Sequence, residues 1–122
     1  MSARASARGR VVVVGGGAVG LAFAAACTDE VTVLEGGPPR PIADPDAFDI
    51  RVFALSEGTR AFLRGIGAWQ RMPADRIAAV ARMEVFGDDG ASRLGFAAPG
   101  GRPLAWIAEG NRMARAIGDS AR

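Results

Sequence analysis

The stretch Val11-Val12-Val13-Val14-Gly15-Gly16-Gly17-Ala18-Val19-Gly20, followed by Val31-Thr32-Val33-Leu34-Glu35, decides the fold. Four consecutive valines predict a buried strand. A glycine-rich turn follows, then a small-residue helix, then a second β-branched strand ending in a carboxylate. Gly15, Gly17 and Gly20 fit the G-x-G-x-x-G spacing. The first glycine allows the tight turn, the second lets backbone approach a pyrophosphate, and the third lets the helix lie close on the strand. A helix opening near Gly17 points unpaired N–H groups and partial positive charge at phosphates. Glu35 stands where an acid accepts hydrogen bonds from a ribose hydroxyl, about 20 residues beyond the first glycine. The pattern therefore predicts a dinucleotide site.

A secretion signal is the competing reading. Residues 1–10 are basic, residues 11–27 are almost wholly apolar, and Ala24-Ala25-Ala26-Cys27 has some likeness to a lipoprotein cleavage site. Three successive glycines weaken a signal helix, and the acid-terminated strand has no part in one. The first helix is expected to be about one turn shorter than the usual dinucleotide-binding pattern, with the phosphate end intact.

Composition narrows the chemistry. A chain of 122 residues holds one domain at most, and 49% hydrophobic residues suffice for a core. The expected division is a frayed tail over 1–9 and one unit over 10–122; a cleaved transit peptide is disfavoured because the first strand starts almost at once. All fifteen basic residues are arginine, and histidine, lysine and tyrosine are absent, which fits a coding bias better than selection for chemistry. A net charge of +2 without a basic run interleaved with aromatics argues against nucleic acid. A single cysteine excludes an internal disulfide. Without histidine, it also excludes a zinc site and Ser-His-Asp or Cys-His catalysis. Cys27 is expected as a small apolar residue on the first helix. No stretch is long and clean enough to span a membrane.

Gly36 to Asp49 carries four prolines and is expected as loop. In Asp49-Ile50-Arg51-Val52-Phe53-Ala54-Leu55-Ser56, Ser56 is a helix N-cap with Glu57 in the first turn. Phe62, Leu63, Ile66 and Trp69 recur at helical spacing and predict a buried stripe. Gly65 and Gly67 end that helix, and Ala68 to Met72 adds a short turn before Pro73. Arg82 to Phe86 and Arg93 to Phe96 alternate around Asp88-Asp89-Gly90, which predicts a hairpin. Gly100-Gly101-Arg102-Pro103 is loop, Leu104 to Ile107 a short strand, and Asn111 to Ala121 a final helix with Met113 and Ile117 on one face.

Taken together, these segments resemble the start of a flavin-dependent aromatic hydroxylase, in particular the group that hydroxylates polyprenylated phenols in ubiquinone biosynthesis. The resemblance rests on Val14-Gly15-Gly16-Gly17-Ala18-Val19-Gly20 and on Val31-Thr32-Val33-Leu34-Glu35. Its most diagnostic block is Asp49-Ile50-Arg51-Val52-Phe53-Ala54-Leu55-Ser56 followed by Phe62-Leu63 and Gly67-Ala68-Trp69. Met83-Glu84-Val85-Phe86 through Asp89-Gly90, and Trp106-Ile107-Ala108-Glu109 entering a helix, follow in the family's order. The family's later Gly-Asp motif and most of its substrate domain lie outside these residues, so the chain is expected to be an incomplete portion, inactive alone.

The resemblance implies an α/β fold: a Rossmann-like FAD-binding β-α-β start, with Arg10–Val14 and Val31–Glu35 parallel. The hairpin at 82–96 would begin a second, substrate-side sheet. It implies that Gly15, Gly17, Ala18, Val19 and Gly20 cradle the FAD pyrophosphate, that Glu35 holds the adenosine ribose and that Arg51 lies near the cofactor. A surface ion pair of Arg51 with Asp49 or Asp46 is the alternative for that residue. The family's Glu-Asn-Arg appears as Glu109-Gly110-Asn111-Arg112, where an inserted glycine breaks the register. The cofactor contact there falls on Asn111, on Arg112 or on neither.

In the family NAD(P)H reduces the flavin and oxygen then hydroxylates an electron-rich ring, so no side chain is named as catalytic and no metal is expected. The substrate is an aromatic lipid, which implies a cytoplasmic protein working peripherally at the inner membrane. Oligomeric state is not legible. Two rivals stay open: another FAD- or NAD-dependent oxidoreductase sharing the turn, and an inactive truncated remnant.

Overall fold

A computed structural model describes residues 9–38, 44 and 46–121. The expected frayed tail at 1–9 lies outside the described residues apart from Gly9, as does part of the loop expected over 36–49. The fold is mixed α/β.

Strand β1 (Arg10–Val14) pairs in parallel with β2 (Glu30–Leu34), with Val11 opposite Val31 and Val13 opposite Val33. Helix α1 (Ala18–Ala26) forms the crossover between them. Val11, Val13, Val31 and Val33 are half-buried, whereas Val12, Val14 and Leu34 on the other face are exposed. The β-α-β unit thus follows the expectation. Its second strand ends one residue early, which leaves Glu35 just beyond the strand. Cys27 is the half-buried C-cap of α1.

A second, antiparallel sheet has β7 (Ala105–Glu109) at its centre, flanked by β3 (Val52–Leu55) and β4 (Ile77–Val80). β5 (Arg82–Phe86) and β6 (Arg93–Ala97) form the expected hairpin as a sheet of their own. Asp89 holds its turn by accepting from the Ala91 and Ser92 amides at 3.0 and 2.7 Å.

Helix α2 (Glu57–Gly65) begins as the sequence predicts, with Ser56 Oγ accepting from the Thr59 amide at 3.2 Å. Gly67 follows at φ +77, a left-handed conformation that favours glycine. The Arg60 guanidinium sits 5.3 Å from the Trp69 ring and 4.7 Å from that of Trp106. The two indoles meet edge to face at 6.2 Å, which ties α2 and the following turn to β7.

Helix α3 (Gly110–Ser120) contributes Met113, Ala116 and Ile117 to a core shared with Leu55, Leu63, Ala68, Met72 and Ala108. Leu21 of α1 lies against α3 at Gly118. This core holds the β-α-β unit against the antiparallel sheet.

Two expectations need correction. Phe62 is 44% exposed rather than part of the buried stripe. A helical step of about 100° separates it from Leu63, which takes the core position. β4 was not expected, because Ile77-Ala78-Ala79-Val80 has no apolar-polar alternation; it becomes a strand by pairing with β7.

Truncation should separate these neighbours. Leu63→Ala, at 2% exposure, is expected to cost about 2–5 kcal/mol of unfolding free energy in urea. Phe62→Ala is expected to cost under about 1 kcal/mol.

Candidate functional site

The glycine turn and Glu35 meet. Gly15 adopts φ +105 and its amide donates to the Leu34 carbonyl at 2.8 Å, extending the β1–β2 ladder by one step. The chain then turns into α1. A Cβ at Gly20 would overlap the Gly15 carbonyl oxygen, so only glycine lets the helix lie this close to the strand end. A Cβ at Gly17 would meet nothing within 4 Å. The fold does not demand glycine at Gly17; the space above it is open.

The Glu35 carboxylate faces this turn. Oε2 accepts from the Gly16 amide at 2.5 Å and Oε1 from the Gly36 amide at 2.9 Å. Each oxygen keeps a second lone pair, and the residue is exposed. Gly16 leaves little room for a side chain, since a Cβ there would stand 2.9 Å from Glu35 Oε2. Gly16 has no part in the G-x-G-x-x-G spacing; its signal is the third glycine between the two motif positions.

Helix α1 carries no side-chain cap and no acid in its first turn. The other two helices differ. α2 is capped by Ser56. At α3 the Asn111 amide donates to Asp49 Oδ2 at 2.8 Å, a cap supplied from far along the chain. Among the three α-helix starts of the described residues, α1 alone has neither a side-chain cap nor a carboxylate on its first amides.

Arg51, Asn111 and Arg112 belong to a second cluster, centred on Glu109 at 4% exposure. Glu109 accepts from Arg76 Nε at 2.6 Å, Arg76 Nη2 at 3.1 Å, Arg112 Nε at 3.0 Å and the Asp49 amide at 2.7 Å. The Arg76 hydrogen bond is the main cause holding the Glu109 carboxyl down from 4.5 to about 2; burial opposes it, and the Asp49 amide and the Arg112 charge assist. Asp49 is also lowered, first by the amide of Arg51 and then by that of Asn111.

Arg112 is thus committed to Glu109, and its Nη2 lies 3.4 Å from the Ala47 carbonyl. Asn111 Oδ1 is buried and has no hydrogen-bond partner among the described residues. Arg51 is exposed. The ion pair expected as the alternative does not form within 4.0 Å among the described residues: the Arg51 amide donates to Asp49 Oδ1, and the Arg51 charge acts on Asp49 only as one of the lesser causes that lower its carboxyl. Gly110 does more than shift the register. A Cβ there would stand 2.8 Å from Phe53 Cε2 and 3.3 Å from the Arg51 carbonyl oxygen. Asp49 and Glu109 stand in the sequence only as a candidate ion-pair partner of Arg51 and as the acid before the last helix, and Arg76 carries no signal there; their meeting is visible only in the fold. No group of three or more acids, cysteines or histidines fit to hold a metal occurs among the described residues.

No family model matches the chain. It is 33% identical over 79 residues to the 3-demethoxyubiquinol 3-hydroxylase of Escherichia coli (strain K12), covering 62% of this chain and 20% of that protein. It is 34% identical over 84 residues to the ubiquinone biosynthesis monooxygenase COQ6, mitochondrial, of Xenopus tropicalis, covering 62% and 18%. The chain therefore spans about a fifth of the length of the curated relatives it matches. Among solved structures, the peptidyl tryptophan dihydroxylase QhpG, essential for tryptophylquinone cofactor biogenesis, aligns over 94% of this chain and 23% of its own. The TM-score is 0.58 at 21% identity, a likeness of fold.

Two measurements test this geometry. Gly20→Ala is expected to destabilise by about 3 kcal/mol or more, because a backbone oxygen cannot yield. Gly17→Ala is expected to cost at most about 1 kcal/mol, the usual effect of alanine at an N-cap. For Glu109, the folded-state value lies below the ordinary one, so its stabilisation is present above pH 4.5 and is lost as pH falls towards about 2. Urea midpoints across that window should fall for the parent protein and fall less for Glu109→Gln, which starts lower at neutral pH.

Proposed function

From a chain related to ubiquinone-biosynthesis hydroxylases, an oxygenase family, we propose the part of a flavin-dependent monooxygenase that receives FAD, in a protein that hydroxylates a polyprenylated phenol. The observation that carries this reading is the open, uncapped start of α1 above Gly17, with the Glu35 carboxylate hydrogen-bonded to the same turn.

The residues present fit the group. The amides of Ala18, Val19 and Gly20 open α1 without intrahelical partners, as the first turn of any helix does, and they offer donors and positive dipole to a diphosphate. Gly15 and Gly20 bring that helix start to the strand end; Gly17 keeps the approach clear. The lone pairs Glu35 has to spare accept from the adenosine ribose. Arg51 supplies positive charge beside the cofactor. At α3 the contact goes to Asn111, whose Oδ1 lacks a partner, rather than to Arg112, which Glu109 holds.

When bound, the flavin supplies the redox chemistry, accepting electrons from NAD(P)H and reacting with oxygen to hydroxylate the ring. The protein residues bind and orient it, and none of them need act as acid or base. Such a lipid substrate favours work at a membrane surface, on the cytoplasmic side of the inner membrane. No helix among the described residues is long and apolar enough to cross a membrane. The β5–β6 hairpin is read as the start of the substrate-side sheet.

The test is flavin content of the full-length protein. Purified protein is expected to carry FAD by its visible spectrum. Gly17→Val should lose the FAD while keeping its fold, because a branched side chain fills the space left for the diphosphate. Glu35→Ala should weaken binding by about 1–3 kcal/mol. Flavin retained in Gly17→Val refutes the site. Bound NAD in place of FAD identifies a different oxidoreductase, and a protein that neither carries nor takes up FAD is a remnant.

A further inference from the structure

We infer that Glu109 and Asp49 are positioning residues that hold Arg51, against the start of α3, in the place the cofactor requires. The inference rests on the flavin reading above. It arises from Glu109, Asp49 and Arg76, to which that reading gives no part in binding or chemistry.

Arg51 is pinned through its backbone on both sides. Its amide donates to Asp49 Oδ1 at 3.0 Å, and its carbonyl accepts from the Gly110 amide at 2.8 Å. Asp49 reaches α3 with its other oxygen through the Asn111 amide at 2.8 Å. One carboxylate thus joins the Arg51 backbone to the helix start, over a sequence separation of 62 residues.

Asp49 is in turn held by Glu109, which accepts the Asp49 amide at 2.7 Å. Glu109 is the N-cap residue of α3 but makes no capping bond with its side chain; Asp49 has taken that role. Arg76 clamps the approach to the same turn. Its Nη1 and Nη2 donate to the Asp46 and Ala47 carbonyls at 3.2 and 2.8 Å, and its guanidinium lies 3.8 Å from the Phe48 ring. Glu109 compensates Arg76 from the buried side.

The two residues therefore divide the task. Asp49 fixes the Arg51 backbone against α3, and Glu109 fixes Asp49. Nothing comparable holds the Arg51 guanidinium, which enters no ion pair among the described residues. A held backbone carrying an exposed guanidinium, whose charge meets Asp49 only at a distance, is the arrangement expected of a residue that meets a ligand.

A double-mutant cycle on FAD affinity tests the inference, with flavin fluorescence quenching as readout and circular dichroism confirming that each variant is folded. Arg51→Met and Glu109→Gln are each expected to raise the FAD Kd by about tenfold, the size of one lost charge-assisted contact. If Glu109 acts through Arg51, the double variant binds no worse than Arg51→Met alone. Asp49→Asn, a milder change, should show the same non-additivity and keeps the test alive should Glu109→Gln not fold. Leu63→Ala lowers stability without touching this cluster and should leave the Kd unchanged.

Additive losses, or an unchanged Kd in both Glu109→Gln and Asp49→Asn while Arg51→Met binds weakly, overturn the positioning role. An unchanged Kd in Arg51→Met also overturns it and leaves the glycine-turn site standing. Failure of the parent protein to bind FAD overturns the flavin reading itself.

Discussion

The contact on which the rest depends is the approach of α1 to the end of β1, where Gly20 stands against the carbonyl of Gly15 with no space for a Cβ. It fixes where the helix begins. With the helix start fixed there, the chain between Gly15 and Ala18 must pass beside Glu35, and the Gly16 amide finds the carboxylate. A side chain at Gly20 would lift α1 from the strand, and Leu21, the next residue, would lose its seat against α3. The same glycine therefore shapes the ligand end of the helix and its packing.

The second organising element is ionic and buried. Removing Glu109 from water is costly, and its contacts with Arg76, Arg112 and the Asp49 amide offset that cost. Such clusters add little net stability compared with an apolar packing of the same volume. What this one supplies is geometry, because it joins residues 46–51, the turn before β4 and the start of α3, segments far apart in the chain. An apolar contact fills volume without direction, whereas hydrogen bonds to a carboxylate fix both distance and angle.

Legibility in the sequence follows this division. The glycine turn, the β1–β2 pair, the Ser56 cap and the hairpin at Asp89 were readable because each is settled by residues close in sequence. The similarity to ubiquinone-biosynthesis hydroxylases was readable too, from the run between Arg51 and Trp69. The strand Ile77–Val80 was not, since its identity comes from pairing with β7. Nor were the roles of Glu109, Asp49 and Arg76, which meet across separations of 33 and 60 residues. Phe62 misled because periodicity marks a helix face only to within one residue, and Leu63 held the core position.

The three helix starts show why the candidate site lies where it does. A helix beginning inside a folded protein has amides that need acceptors, and this chain meets the need locally at α2 with Ser56 and at long range at α3 with Asp49. At α1 it does neither among the described residues. Glu35 is near enough to bond the amide of Gly16, one residue before the N-cap Gly17, yet it stays outside the first turn of the helix. A carboxylate capping α1 would compete with an incoming phosphate for the same donors. Placed beside the turn instead, it orders the loop while leaving the helix amides to an anion. The arrangement thus keeps the Glu35 carboxylate apart from the α1 amides, and Gly16, where a Cβ would stand 2.9 Å from Glu35 Oε2, lets the two lie side by side.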